Sequence, residues 1–218
     1  MNKNQIKIIS ILIISSLILT GCWDYMDIDR RSIVITVGVD RVGRDIQFTT
    51  EVAKLITEKG ETMAGNQDIY MDTSYGKNFE LSRLDTDITR PHPTTLSATR
   101  VVVFGQNYAK EGIGPYLNRI NKMYDYRKTL LTVVSREPSN ELIQTKVKKG
   151  ISVGFLIENM MTFLSERGIG LYPKVGETLS DISLEEVGYL LPFIGKRAGF
   201  HKIFRTCNNE RFKINRYS

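Results

Sequence analysis

Histidine, cysteine, proline and tryptophan are all scarce in this 218-residue chain, at two, two, six and one. With only Cys22 and Cys207 there is no internal disulfide framework, and no Cys/His spacing fits a zinc site. His92 lies between two prolines and His201 in a basic tail, and neither has a partner at ligand spacing. Gly-x-Ser-x-Gly, Gly-x-x-x-x-Gly-Lys and His-Glu-x-x-His are all missing from the sequence. The expectation is therefore a protein with no catalytic residues, no cofactor and no metal. Gly112-Ile113-Gly114 and Gly168-Ile169-Gly170 are at best half of a dinucleotide fingerprint, and helix ends explain both better. Asp85 and Asp87 read as a solvated helix face, and Met160 and Met161 as core.

A surplus of acid is also lacking: the sequence pI is near 9.2 and the net charge +6. The charge is unevenly placed, however. Lys3 and Lys7 carry +2, and the tail from Lys196 to Ser218 carries +6, so residues 22–195 hold −2. Basicity confined to the two ends is no footprint for a nucleic-acid duplex, and no nucleic-acid partner is expected.

No apolar run is long enough to cross a bilayer. Ile8 to Leu19 is twelve residues, roughly 18 Å as a helix against a hydrocarbon core of ~30 Å. With Lys3 and Lys7 before it and small residues after it, this run reads as a secretory leader. Leu19-Thr20-Gly21-Cys22 ends the leader and resembles the lipobox of bacterial lipoproteins. That resemblance implies cleavage between Gly21 and Cys22, a diacylglyceryl group on the Cys22 sulfur and an amine open to N-acylation such as palmitate. An ordinary secretion signal with a coincidental cysteine is the bland alternative. Two acyl chains, at ~0.8 kcal/mol per buried CH2, hold a protein on a membrane where one is marginal.

Behind the leader (residues 1–21), residues 22–31 read as a charged, membrane-proximal tether. Trp23 suits either the lipid headgroup level or a cap on the core. Residues 32–195 read as an N-terminal α/β domain, also describable as α+β, with a mixed sheet, an N-terminal β-hairpin and several packed helices. Ser32 to Asp40 is β-branched and reads as a buried strand, and Asp45 to Thr57 alternates as its antiparallel partner. Glu58 to Gly76 reads as a long loop with a short strand near Ile69 to Met71. Asn78 to Asp87 fits a helix with Phe79, Leu81 and Leu84 on one side, broken by Arg90-Pro91-His92-Pro93. Arg100 to Phe104 is expected as a central strand and Lys128 to Ser135 as another. Between them, Gln106 to Lys122 is expected to hold one or two helical turns, interrupted at Gly112, Gly114 and Pro115.

Pro138 to Lys149 and Val153 to Glu166 are expected as helices. The first turns Leu142, Ile143 and Val147 inward, and the second Phe155, Leu156, Met160, Phe163 and Leu164. Ser183-Leu184-Glu185-Glu186 matches a capping box, predicting a short helix to about Leu191 before Pro192. From Lys196 to Ser218 the chain is a basic tail without apolar periodicity. Near a membrane, such a tail would favour anionic lipid by ~1 kcal/mol per basic group.

Cys22-Trp23-Asp24, a charged stretch and a first strand ending in Gly38-Val39-Asp40 together resemble the C subunit of spore germinant receptors, the Ger(x)C-type germination lipoproteins. Arg100-Val-Val-Val-Phe-Gly105, followed by Tyr108-Ala-Lys-Glu-Gly-Ile113, is similar to a strand and helix end of that family, and Leu190-Leu191-Pro192 to the end of its N-terminal region. The resemblance covers about residues 1–195. It implies a lipid-anchored, non-enzymatic subunit of a nutrient germinant receptor, acting in spore germination. It also implies integral-membrane A- and B-type subunits as partners, on the outer face of the spore's inner membrane. Members of the family are longer and carry a further C-terminal region, so the chain reads as a copy truncated or frameshifted near Lys196. The alternative is a membrane-anchored solute-binding lipoprotein or a lipoprotein enzyme, either of which needs a cleft with convergent polar groups.

Overall fold

The computed structural model describes residues 3–18, 31–53, 69–90, 92–145, 151–183, 189–196 and 207–211. Two compact units divide the chain, Met1–Arg30 and Arg31–Ser218. The first contains helix α1 (Lys3–Ile18), sixteen residues long. No helix among the described residues is long and apolar enough to cross a membrane.

The second unit is built on one mixed sheet. β1 (Ser32–Val42) and β2 (Asp45–Ala53) form the expected hairpin, closed by Gly43 at φ 61°. β3 (Ile69–Gly76) adds on the far side of β2. Residues 54–57, expected to prolong β2, lie outside the described residues. β3 itself runs for eight residues rather than a few, because Ile69 to Gly76 pairs with β2 along the whole length from Ala53 to Ile46. On the other side of β1 come β4 (Thr94–Thr95), β5 (Val101–Gly105), β6 (Leu131–Ser135), β7 (Leu190–Ile194) and β8 (Cys207–Arg211). The order is β3-β2-β1-β5-β6-β7-β8, with β4 beside the start of β1. β1, β5, β6 and β7 are mutually parallel. β8 is antiparallel to β7, so part of the basic tail extends the sheet.

Helices cover both faces. α2 (Phe79–Ile88), α3 (Gln106–Glu111), α4 (Gly114–Lys122) and α7 (Val175–Ser183) pack on one face, over Val34, Val37, Phe48, Val102, Phe104 and Val134. α5 (Ser139–Ile143) and α6 (Val153–Glu166) pack on the other, over Val101, Val103, Leu131 and Val133. Both sides of the parallel strands are therefore apolar, which is why they read as continuous β-branched runs rather than alternating ones. Tyr116 anchors the first core, with its ring edge-on to Phe48, Phe79 and Phe104 at 5.7, 5.2 and 5.8 Å.

Several helical expectations need correction. In α2, Phe79 packs against the core, but Leu81 and Leu84 face solvent, and the buried residues are Ser82 and Thr86. Their hydroxyls decide the rotation: Ser82 donates to the Ile46 carbonyl at 3.0 Å, and Thr86 to Ser74 Oγ at 2.6 Å. Gln106 to Lys122 is two helices, not one or two turns. Gly112 breaks the run at φ 117°, whereas Gly114 and Pro115 begin α4, where a proline's missing N–H costs nothing. α5 is only five residues, and Val147 lies outside the described residues. In α6 the inward line is Val153, Ile157 and Met161, with Met160 and Leu164 partly buried and Phe163 49% exposed. Ser183 lies within α7 rather than capping a new helix, and Leu190 and Leu191 are in β7, while residues 184–188 lie outside the described residues. Pro192 fits a strand because it sits where the β7–β8 register shifts.

Candidate functional site

The glycines and the aspartate of the sequence motifs meet where the parallel strands end. Asp40 leaves β1 on the face covered by α5, and is buried. Its carboxylate accepts hydrogen bonds from the Ser139 N–H (3.0 Å), the Ser139 hydroxyl (2.6 Å) and the Asn140 N–H (3.2 Å). An acid on one strand thus satisfies the open donors of a helix start ninety-nine residues later. The fit leaves no room for side chains around it. A Cβ on Gly105 would lie 1.8 Å from Asp40 Oδ1, and one on Gly38 2.4 Å from Ser139 Oγ. Beside this joint Arg41 Nε pairs with Glu111 at 2.8 Å, tying the end of β1 to α3.

A second buried carboxylate does the same for α6. Glu51, 1% exposed, accepts from the Thr36 hydroxyl (2.5 Å), the Ser152 hydroxyl (2.7 Å), the Val153 N–H (2.7 Å) and the Gly154 N–H (3.1 Å). A bulge between Val34 and Thr36 turns Thr36 to this side of the sheet. A Cβ on Gly154 would come within 2.2 Å of Thr36 Oγ1, so the helix sits directly on the strand. This contact sets the rotation of α6 and explains why its buried line differs from the expected one.

On the opposite face a pocket of about 30 Å³ lies between the sheet, α2 and α4, with room for about two waters. Thr50, Thr86, Thr94, Arg83, Arg119 and the Tyr116–Tyr126 pair contribute its polar groups. The tyrosine hydroxyls are 2.8 Å apart, and burial is the largest cause raising the pKa of each, that of Tyr116 well above its ordinary value. Arg119 pairs with Glu80, and Arg83 reaches Asp87 at 3.6 Å and Asp125 at 3.5 Å. Next to it the Arg90 side chain is 3% exposed, donating to Asp72 Oδ2 (2.8 Å) and Thr50 Oγ1 (2.6 Å). Its Nη1 finds no partner among the described residues.

These arrangements do not assemble a nucleophile with a base. Ser139 has its hydroxyl on Asp40, whereas His92, whose carbonyl accepts from Ser32 Oγ at 3.3 Å, is at the other end of β1. The pocket's cations are matched by carboxylates. Cys22, the Gly21–Cys22 bond, Trp23, Asp24 and His201 all lie outside the described residues. Among the described residues no three His, Cys, Asp or Glu side chains are grouped to hold a metal ion. Glu51 and Arg90 are the residues sequence reasoning missed. Glu51 was one polar position in an alternating strand, and Arg90 part of a proline-rich break.

The sequence profile of the family described as the spore germination protein N-terminal domain matches residues 24–196. The chain belongs to that family. A candidate spore germination protein of Bacillus subtilis (strain 168), YfkR, is 26% identical over 155 residues, 68% of this chain and 40% of the relative. The chain thus spans about 40% of the length of the curated relative it matches. No solved structure matches. Within this germination domain, Gly38-Val39-Asp40 lies in β1, the second stretch occupies β5 and α3 up to Ile113, and the third lies in β7, while Cys22 to Asp24 lie outside the described residues. The first two share a physical purpose, since Gly38, Asp40 and Gly105 form the joint that receives α5.

Proposed function

We propose that the protein is a lipid-anchored, non-enzymatic subunit of a nutrient germinant receptor, held on the outer face of the spore's inner membrane through Cys22. The observation that carries this reading is the order of two signals: Leu19-Thr20-Gly21-Cys22 stands directly before a germination domain whose match begins at residue 24. The tether 22–31 separates the lipid from a domain whose buried carboxylates hold helices rather than reacting groups. Its partners are integral-membrane receptor subunits of the A and B types. Anchoring confines the domain to the plane in which those partners move, which raises their effective concentration with no new contact. The small, charge-compensated pocket beside Tyr116 gives no support to a solute-binding lipoprotein.

Mass spectrometry of the protein from spore membranes tests the anchor. The expected N-terminus is Cys22 carrying diacylglycerol, and an intact leader or an unmodified cysteine refutes it. Cys22→Ala should release the protein from membranes and impair germination. Affinity capture in a complex-preserving detergent tests the receptor reading, and recovery of the chain alone would count against it.

A further inference from the structure

One end of the domain carries cations and apolar tips together. α2 and α4 run side by side in the same direction, Glu80 meeting Arg119 and Arg83 meeting Asp125. Both finish at the end of the sheet where the parallel strands begin, since residues 123–130 lead directly into β6. After α4 the chain reads Met123-Tyr124-Asp125-Tyr126-Arg127-Lys128-Thr129. Tyr126 turns inward to Tyr116, whereas Tyr124 is 89% exposed, and Ile88 at the close of α2 is 71% exposed. Around them Lys122, Arg127 and Lys128 are exposed. Lys128 Nζ donates to the Ile120 carbonyl in a part-buried hydrogen bond, which takes one of its three N–H groups.

Several acids at this end are already engaged, among them Asp87 beside Ile88, which accepts from the Thr94 hydroxyl at 2.7 Å and shares Arg83 with Asp125. Asp125 faces Arg83, Glu158 faces Arg100, and Glu177 faces Lys174. Lys122 and Arg127 have no carboxylate within ion-pair distance among the described residues. A net positive surface crowned by an exposed tyrosine and an isoleucine has the composition that settles at a headgroup layer.

We propose that this end of the domain is a docking surface for anionic lipid. Tyr124 and Ile88 rest at the headgroup level, and Lys122, Arg127 and Lys128 lie against lipid phosphates. The inference rests on the Cys22 anchor, which brings the domain to a membrane: β1 starts ten residues after Cys22 and at this same end, pairing Ser32 with Thr94. Ten residues reach at most ~35 Å, so lipidation leaves the strand-start end within a short span of the bilayer.

The test uses the full lipidated protein in a Cys207→Ser background, reconstituted in phosphatidylcholine vesicles with or without phosphatidylglycerol. A fluorophore is placed at Asn121→Cys or, as the control at the opposite end, at Arg44→Cys. Quenching by headgroup nitroxide lipid should be several-fold stronger at 121 than at 44 when phosphatidylglycerol is present. The Lys122→Glu, Arg127→Glu and Lys128→Glu triple variant should bring it down to the level at 44, and Tyr124→Ser should lower it in part. Equal quenching at both sites, on protein that floats with the vesicles, overturns the docking surface and leaves the anchor standing. Failure to float overturns both. Quenching at 121 that persists undiminished without phosphatidylglycerol overturns the anionic-lipid assignment.

Discussion

Glu51 offers the sharpest test of how the two faces of the sheet are held together. It receives two hydroxyl and two backbone donors, all at a position 1% exposed. Glu51→Ala leaves the Val153 and Gly154 N–H groups facing a void. A buried donor without a partner costs about 1–3 kcal/mol, so the substitution should cost about 4 kcal/mol once the carboxylate's contact with the helix start is included. Domain stabilities are about 5–15 kcal/mol, which makes this a large fraction of the total. Glu51→Gln keeps the volume and one acceptor oxygen. The Thr36 and Ser152 hydroxyls can turn to accept from the new amide, so its cost should be about 1–2 kcal/mol. Urea unfolding followed by far-ultraviolet circular dichroism measures both, with an unchanged m value showing that the same surface unfolds. Hydrogen exchange adds location: amides of α6 should exchange faster in Glu51→Ala, while those of β5 follow global stability alone. A loss below about 1 kcal/mol in Glu51→Ala, with α6 protection unchanged, would refute the claim that this carboxylate seats the helix.

Gly38→Ala should destabilise by about 1–3 kcal/mol, because its Cβ meets Ser139 Oγ at 2.4 Å and Ile143 Cδ1 at 2.7 Å. Gly114→Ala meets nothing within 4 Å beyond its chain neighbours, but its Cβ crowds the Pro115 ring in a helical backbone, so it should stay within about 1 kcal/mol of the parent. Thermal melts of the two variants check the difference. Burial, the largest cause, holds the Tyr116 and Tyr126 phenols above their ordinary pKa. The unfolded chain therefore loses these protons first as pH rises past ~10, so stability should be level below that and fall above it. Urea midpoints across this range check the fall, and Tyr116→Phe/Tyr126→Phe should flatten it.

The hairpin and β5 were legible because their residues obey one local rule each: alternation with a glycine turn, and an unbroken β-branched run. The helix expected from Asn78 also stands, and the structure shows why it starts there: the Asn78 side chain accepts from the Leu81 N–H at 2.9 Å. The inward face of that helix was not legible. Hydroxyls bonded to a strand won over leucines, and the acceptors on that strand are invisible in a window of ten residues. Ser183-Leu-Glu-Glu failed for a different reason. A capping-box pattern takes no account of a helix already running into it, and Ser183 already belongs to α7, its hydroxyl donating to the Leu179 carbonyl at 2.8 Å. The joints at Asp40 and Glu51 were beyond local reading altogether, since each acid finds its helix about a hundred residues away. Gly38 and Asp40 were nonetheless recognised by resemblance before their contact explained them.

The outer border of β3 has a consequence for crowding. The Thr73 N–H is taken by Asp72 Oδ1 at 2.8 Å and the Tyr75 N–H by Asp85 Oδ2 at 3.0 Å. A neighbour's strand arriving there meets carboxylate acceptors where it needs donors. At this border, copies gathered side by side therefore meet a strand whose donors are already spent, which works against knitting them into a shared ribbon.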